Sequence, residues 1–262
     1  MSMKVDYLPV VFMLAAGLAL AGCAGDGAQG PAGPRGEAGS PQPVKVLIAG
    51  AHEETVLKSC AAKLVGYGLY PMGTEVNYVN VGDSVPPLDV FSRYDAVLLY
   101  SNDFFTHADS VGDILADYVD GGGGVVVCLA CLYTSGLPDD FAIKGRIMEE
   151  GYCPFEPAGA SLTAAGRIDA ESVDVPLHPI FNGVDIFNLT YAYNPIDPDP
   201  PLNAWGVLLA SDINGNNRVA VNTAGNVAGV VIFPPNQFLD ATTYPEAQQL
   251  LANATLFVAG AY

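Results

Sequence analysis

The sequence predicts an α/β fold: a mostly parallel sheet with helices on both faces and a C-terminal β-hairpin, preceded by an apolar leader and a glycine-rich stalk. Three observations carry this. "VKVLIAGA" (44–51), "AVLLYSN" (96–102) and "VVVCLA" (125–130) are near-continuous apolar runs, the pattern of strands buried on both faces. Segments with helical spacing lie between and beyond them, so the order strand, helix, strand, strand, helix, strand implies parallel pairing with crossover helices. Finally, "WGVLLAS" and "RVAVNT" flank "DINGNN", where Asn214-Gly215 signals a hairpin.

From the amino terminus, Lys4 precedes an apolar stretch, Tyr7 to Leu20, broken only by Pro9 and Gly17. A bilayer span needs about 20 apolar residues. A basic start, a short apolar core and small residues before a cut site instead describe an export signal over residues 1–22. Leu20-Ala21-Gly22-Cys23 resembles the bacterial lipobox. That resemblance implies cleavage before Cys23, acylation of Cys23 and a membrane-anchored lipoprotein, periplasmic or at the cell surface. Several acyl chains hold firmly, at about 0.8 kcal/mol per buried methylene. Gly27, Gly30, Gly33, Gly36 and Gly39 then open five G-X-Y triplets, with Pro31 and Pro34 at X positions. Only glycine fits the axis of a collagen triple helix, so a homotrimer through residues 23–43 is one reading. An extended spacer, at ~3 Å per residue, is the other.

Residues 44–262 remain as the cargo, a size one domain fills. Setting aside Lys4, Arg35, Asp6, Asp26 and Glu37 leaves 8 basic and 25 acidic residues, a net charge near −17. Such a surface repels phosphate backbones and argues against a nucleic-acid partner. Cys60, Cys128, Cys131 and Cys153 allow three readings: buried or free thiols, one Cys131–Cys153 bridge, or a metal site. Cys128 and Cys131 close a strand instead of opening a helix, unlike a thioredoxin-type pair. No second pair supplies a zinc set, and no metal or cofactor is expected.

Within the cargo, Glu53 to Gly66 has helical spacing through Val56, Leu57, Cys60, Leu64 and Val65, and "EVNYVNV" (75–81) alternates like a strand. Asp109 to Asp120 places Val111, Ile114, Leu115, Tyr118 and Val119 on one helix face. Gly121–Gly124 follow that helix and precede a strand, the reverse of a phosphate loop, so they read as a helix cap and turn. "DINGNN" has its glycine at the fourth position, where an EF-hand needs the sixth. "IDPDPP" (196–201) reads as a rigid surface loop. "VAGVVIFPPN" (227–236) is a further strand, and Pro245 to Ala259 a closing helix.

These pieces, in this order, resemble the class I glutamine amidotransferase-like superfamily, in particular its trehalose-utilisation (ThuA-like) branch. The carriers are "VLIAGAHEE", "YDAVLLYSN", "LADYVDGGGGVVV", "HPIFNGV" (178–184) and "LLASDINGNNRVAVNTAGNVAGVVIFPPN". The resemblance covers nearly all of 44–262 and implies a flavodoxin-like fold. Active members keep a nucleophilic cysteine in a G-x-C-x-G elbow after a central strand, and a base and its carboxylate in a Phe-His-Pro-Glu pattern. A thiol needs an adjacent imidazole, itself oriented by a third group. Here "VVVCLACLYTSG" lacks the flanking glycines, and the late strand reads Phe233-Pro234-Pro235-Asn236, with proline in place of the base. No catalytic triad is therefore expected.

Ligands in open α/β sheets bind outside the carboxyl ends of the strands. That places His52, Glu53, Asn102, Asp103, His107 and Tyr133 around one mouth, with Cys131 nearby. Three functions follow. A recognition domain would bind a ligand such as a glycan or cell-wall component. A hydrolase would use Cys131 as nucleophile with His52 or His178 as base. A structural or adhesive protein would trimerise through the stalk.

Overall fold

The computed structural model describes residues 40–134, 141–159, 161–162, 166–168, 173–186, 190–191, 196–197, 200–239 and 244–262. All belong to one compact unit, Glu37–Tyr262. The leader, Cys23 and the triplet repeat lie outside the described residues.

A seven-stranded sheet organises the unit. β1 (Lys45–Ala51) pairs in parallel with β2 (Glu75–Asn80) on one side and β3 (Ala96–Ser101) on the other. β4 (Gly124–Cys128) continues the parallel array beside β3. The hairpin strands β5 (Gly206–Ser211) and β6 (Asn217–Asn222) come next in sequence but sit at the far edge. β7 (Val227–Val230) turns back to lie parallel to β4 and antiparallel to β6. The order is β5-β6-β7-β4-β3-β1-β2. Its five parallel strands make this a flavodoxin-like α/β fold, as the apolar runs predict.

Register follows burial. β3 and β4 are buried along their whole length, and β1 beyond Lys45, so each needs cover on both faces. α1 (Glu54–Gly66), α4 (Pro234–Leu239) and α5 (Pro245–Val258) supply one layer. α2 (Leu88–Phe91) and α3 (Ala108–Asp120), with a 3₁₀ turn at Arg146–Met148, supply the other. Gly112 lets this turn approach α3: a β-carbon there would lie 1.7 Å from the Lys144 carbonyl oxygen. Arg146 then ties the turn to α3 by ion pairs with Asp117 and Asp120.

Gly121, Gly122 and Gly123 close α3 as expected, while Gly124 already opens β4. Gly122 takes φ +96°, while the N–H groups of Gly122 and Gly123 return to the carbonyls of Val119 and Tyr118. This is the Schellman arrangement, which satisfies the last carbonyls of the helix.

Two sequence expectations are corrected. The strand at 227–236 ends at Val230, and Pro234 opens α4, because proline cannot donate to the ladder yet suits a first helical turn. "IDPDPP" is not wholly loop: Ile196–Asp197 pair antiparallel with Ser161–Leu162. No helix among the described residues is long and apolar enough to cross a membrane.

Candidate functional site

The carboxyl ends of β1, β3, β4 and β7 meet on one side of the sheet. Ala51 and Ser101 are paired there, as are Cys128 and Val230. The chain leaves β4 through a sharp turn at Leu129, Ala130 and Cys131. Ala130 has φ +65°, the one non-glycine residue with positive φ among the described residues. The Cys131 N–H donates to the Leu129 carbonyl at 2.9 Å, closing a three-residue turn around Ala130, a rare and strained geometry for a residue with a β-carbon. Tyr133 N–H then donates to the Ala130 carbonyl at 2.9 Å. The glycines of an elbow are missing, but the bend is present with alanine at its apex.

Above this turn lies a cleft of about 180 Å³ lined by Ser101, Asn102, Leu129, Ala130, Tyr133, Phe141 and Phe233. The rings of Tyr133 and Phe141 are 5.9 Å apart, and Phe141 lies 4.6 Å from Phe104. Phe233 meets Tyr100 edge-on at 5.9 Å, and Tyr100 in turn meets His52 at 6.1 Å. Ser101 is buried and donates its hydroxyl to the Phe141 carbonyl at 2.8 Å, which holds Phe141 against the strand end.

Of the six expected cleft residues, Asn102 and Tyr133 line it. His52 and Glu53 cap β1 beside it: the Glu53 N–H donates to His52 Nδ1 at 2.7 Å, and Asn80 Nδ2 donates to the His52 carbonyl at 2.9 Å. Asp103 follows Asn102, and both N–H groups donate to the Ala51 carbonyl. His107 is exposed at the N-terminus of α3, where its carbonyl accepts from Val111 N–H. Ser101, Leu129, Ala130, Phe141 and Phe233 were not singled out from sequence as lining residues. Only the break from β-branched residues to Leu-Ala-Cys-Leu after β4 hints at them.

The cysteines have a different character. Cys60, Cys128, Cys131 and Cys153 are all buried, and none is in a disulfide. Burial pushes the Cys60 thiol up to about 12, with the neighbouring Tyr100 hydroxyl acting in the opposite direction. Burial likewise pushes Cys153 up to about 12, and raises Cys128 and Cys131. Among the described residues, the polar groups acting on the Cys131 thiol are the Ser101 hydroxyl and Cys153.

His178 sits elsewhere. Its Nδ1 accepts from Ile180 N–H at 3.3 Å, and its ring packs 4.5 Å from Phe257 near the end of α5. That end of α5 abuts Gly124, the first residue of β4, whereas Cys131 follows the last. His178 and Cys131 therefore occupy opposite ends of the sheet. Pro234, buried after Phe233, carries no ionisable group. No group of three or more metal-ligating side chains gathers among the described residues.

No protein-family model matches this chain, and no curated protein matches its sequence. Solved structures do match its fold. A ThuA-like protein of Bacteroides uniformis shares 16% identity over 86% of this chain and 94% of its own, with a TM-score of 0.53. A Thermoplasma acidophilum protein assigned as part of a GMP synthase shares 9% identity over 84% of this chain and 96% of its own, with a TM-score of 0.50. The domain thus shares its fold with that ThuA-like protein and with that synthase component. At these identities the likeness concerns the fold.

Proposed function

We propose that this is an extracytoplasmic lipoprotein, held to a bacterial membrane by acylated Cys23, whose domain binds a ligand at the Ala130 cleft without performing chemistry on it. A glycan or cell-wall fragment is the ligand class favoured. The observation that carries this reading is the residue at the bend after β4. Amidotransferases of this architecture need a nucleophile at such a bend, and a methyl group cannot attack a carbonyl. Cys131, the adjacent residue, is a poor substitute. A nucleophilic cysteine works as its thiolate, favoured by exposure and a neighbouring cation, whereas burial drives this thiol the other way. What the cleft does offer is shape, aromatic surface and a few polar groups, the usual equipment of a small-molecule site.

Two measurements on the same protein test the proposal. Iodoacetamide at neutral pH should label the four domain cysteines slowly and together, only as the protein unfolds. A panel of glycans and cell-wall fragments should contain a compound that raises the melting temperature with concentration, a ligand at 100 times its Kd contributing about 2.7 kcal/mol. One cysteine labelled far faster than the rest, with a hydrolytic activity that Cys131→Ala abolishes, would replace the binder with an enzyme.

A further inference from the structure

The chemistry lining the cleft narrows the ligand, given the binding role just proposed. Leu129, Phe233 and the Ala130 methyl make an apolar floor. Tyr133, Phe141 and Phe104 form a chain of ring contacts that runs outward, and Phe104 is 43% exposed at its end. Three polar groups of the lining have no hydrogen-bond partner among the described residues: the Ala130 N–H, the Asn102 side-chain amide and the Tyr133 hydroxyl. A half-buried N–H without an acceptor is costly and invites an oxygen from outside.

Size and charge add two restrictions. About 180 Å³ is well below the roughly 300–1,000 Å³ of pockets that engulf a drug-sized molecule, so one small group enters and the remainder lies outside. The domain also carries a net charge near −17, and Glu53 and Asp103 stand at the neighbouring strand ends, so an anionic ligand meets a repulsive field.

We infer that the site takes a neutral sugar bearing an N-acyl group. The acyl methyl fills the apolar floor, and the acyl oxygen accepts from the Ala130 N–H. The sugar ring lays its C–H face on Phe141 and Phe104, while Asn102 and Tyr133 bond its hydroxyls. A plain neutral hexose would leave the floor empty and the Ala130 N–H unpaired. An anionic acyl sugar would oppose the field.

Titration calorimetry on the full chain in detergent, with three probes, tests this. The probes are chitotriose, cellotriose (the same backbone without acetamido groups) and N-acetylneuraminic acid, an acylated anion. Chitotriose should bind at least tenfold more tightly than either of the others. Phe141→Ala should weaken it tenfold or more. Tyr133→Phe, which keeps the ring and the packing, should weaken it about threefold with an unchanged melting temperature. Equal binding of chitotriose and cellotriose would overturn the acyl assignment while leaving a glycan-binding site. Binding of N-acetylneuraminic acid as tight as chitotriose would overturn the charge selection alone. Absence of chitotriose binding would overturn the inference, and the wider panel would then judge the binding role itself.

Discussion

Ala130 pays a conformational cost that its side chain does not explain. Positive φ disfavours any residue with a β-carbon by about 1–2 kcal/mol, and glycine escapes the penalty. Elsewhere in a buried strand end, Ala→Gly loses stability through chain entropy and lost packing. Here the relief of strain opposes that loss, so Ala130→Gly should leave the unfolding free energy unchanged or raise it by about 1 kcal/mol. Urea denaturation measures this directly. A loss above about 1 kcal/mol would mean that the bend relaxes without strain and that the alanine is held for its methyl contacts. The nearby thiols make the same point about local environment. Cys131 looks like a nucleophile by residue type and by position after a strand, yet its sulfur lies inside the core. Residue type was legible; the direction in which each side chain leaves the turn was not, because a single φ decides it.

At the scale of elements, the hairpin joining β5 and β6 is built around a buried ion pair. Asp212 accepts from the N–H groups of Asn214 (2.8 Å) and Asn216 (3.0 Å), from Asn216 Nδ2 (2.9 Å), and from Arg218 Nε (3.2 Å) and Nη2 (2.8 Å). Arg218 is fully buried and also donates to the Asn217 carbonyl. The "DINGNN" signal marked the turn correctly, with Gly215 at φ +83°. The carboxylate of Asp212 is engaged by its own loop and by arginine, so it serves the hairpin. Although burial acts to raise it, the hydrogen bonds from Asn216 and Arg218 hold the Asp212 carboxyl below its ordinary value. A group whose pKa is lower in the folded state stabilises above the unfolded value and loses that contribution as pH falls through the folded value. The protein should therefore lose stability below about pH 4, the usual carboxylate range. Asp212→Asn should flatten that acid limb. Asp212→Ala, which takes the carboxylate away from a buried guanidinium, should cost about 3–5 kcal/mol in denaturant titrations at pH 7. A cost below 1 kcal/mol would show that water reaches Arg218.

For the whole molecule, the prediction concerns placement. The leader, Cys23 and the glycine triplets lie outside the described residues, and the proposed membrane attachment rests on their sequence alone. Cys23→Ser should move the protein from the membrane fraction to the soluble fraction and abolish incorporation of labelled palmitate. Retention in the membrane with no palmitate signal would leave an uncleaved apolar segment as the anchor. Light scattering on the Cys23→Ser chain separates a trimer from a single tethered head.

The sheet and its helices were written in the order of residues. Apolar runs such as "AVLLYS" can satisfy their backbone and bury both faces only as central strands, and the capping glycines and Asn-Gly turn fixed where elements stop. Even the edge hairpin was marked by its turn residues. The cleft, by contrast, exists only once the chain has packed. Among the described residues its walls come from separated stretches, and although Asn102 and Tyr133 were placed at the mouth by their positions after strands, Ser101, Leu129, Ala130, Phe141 and Phe233 carry little local signature. Phe141 arrives through the Ser101 hydroxyl bond to its carbonyl, and His178 is carried to the far end of the sheet by packing on α5. Local periodicity records which side of an element is buried; it holds no information about which distant side chains close over a strand end.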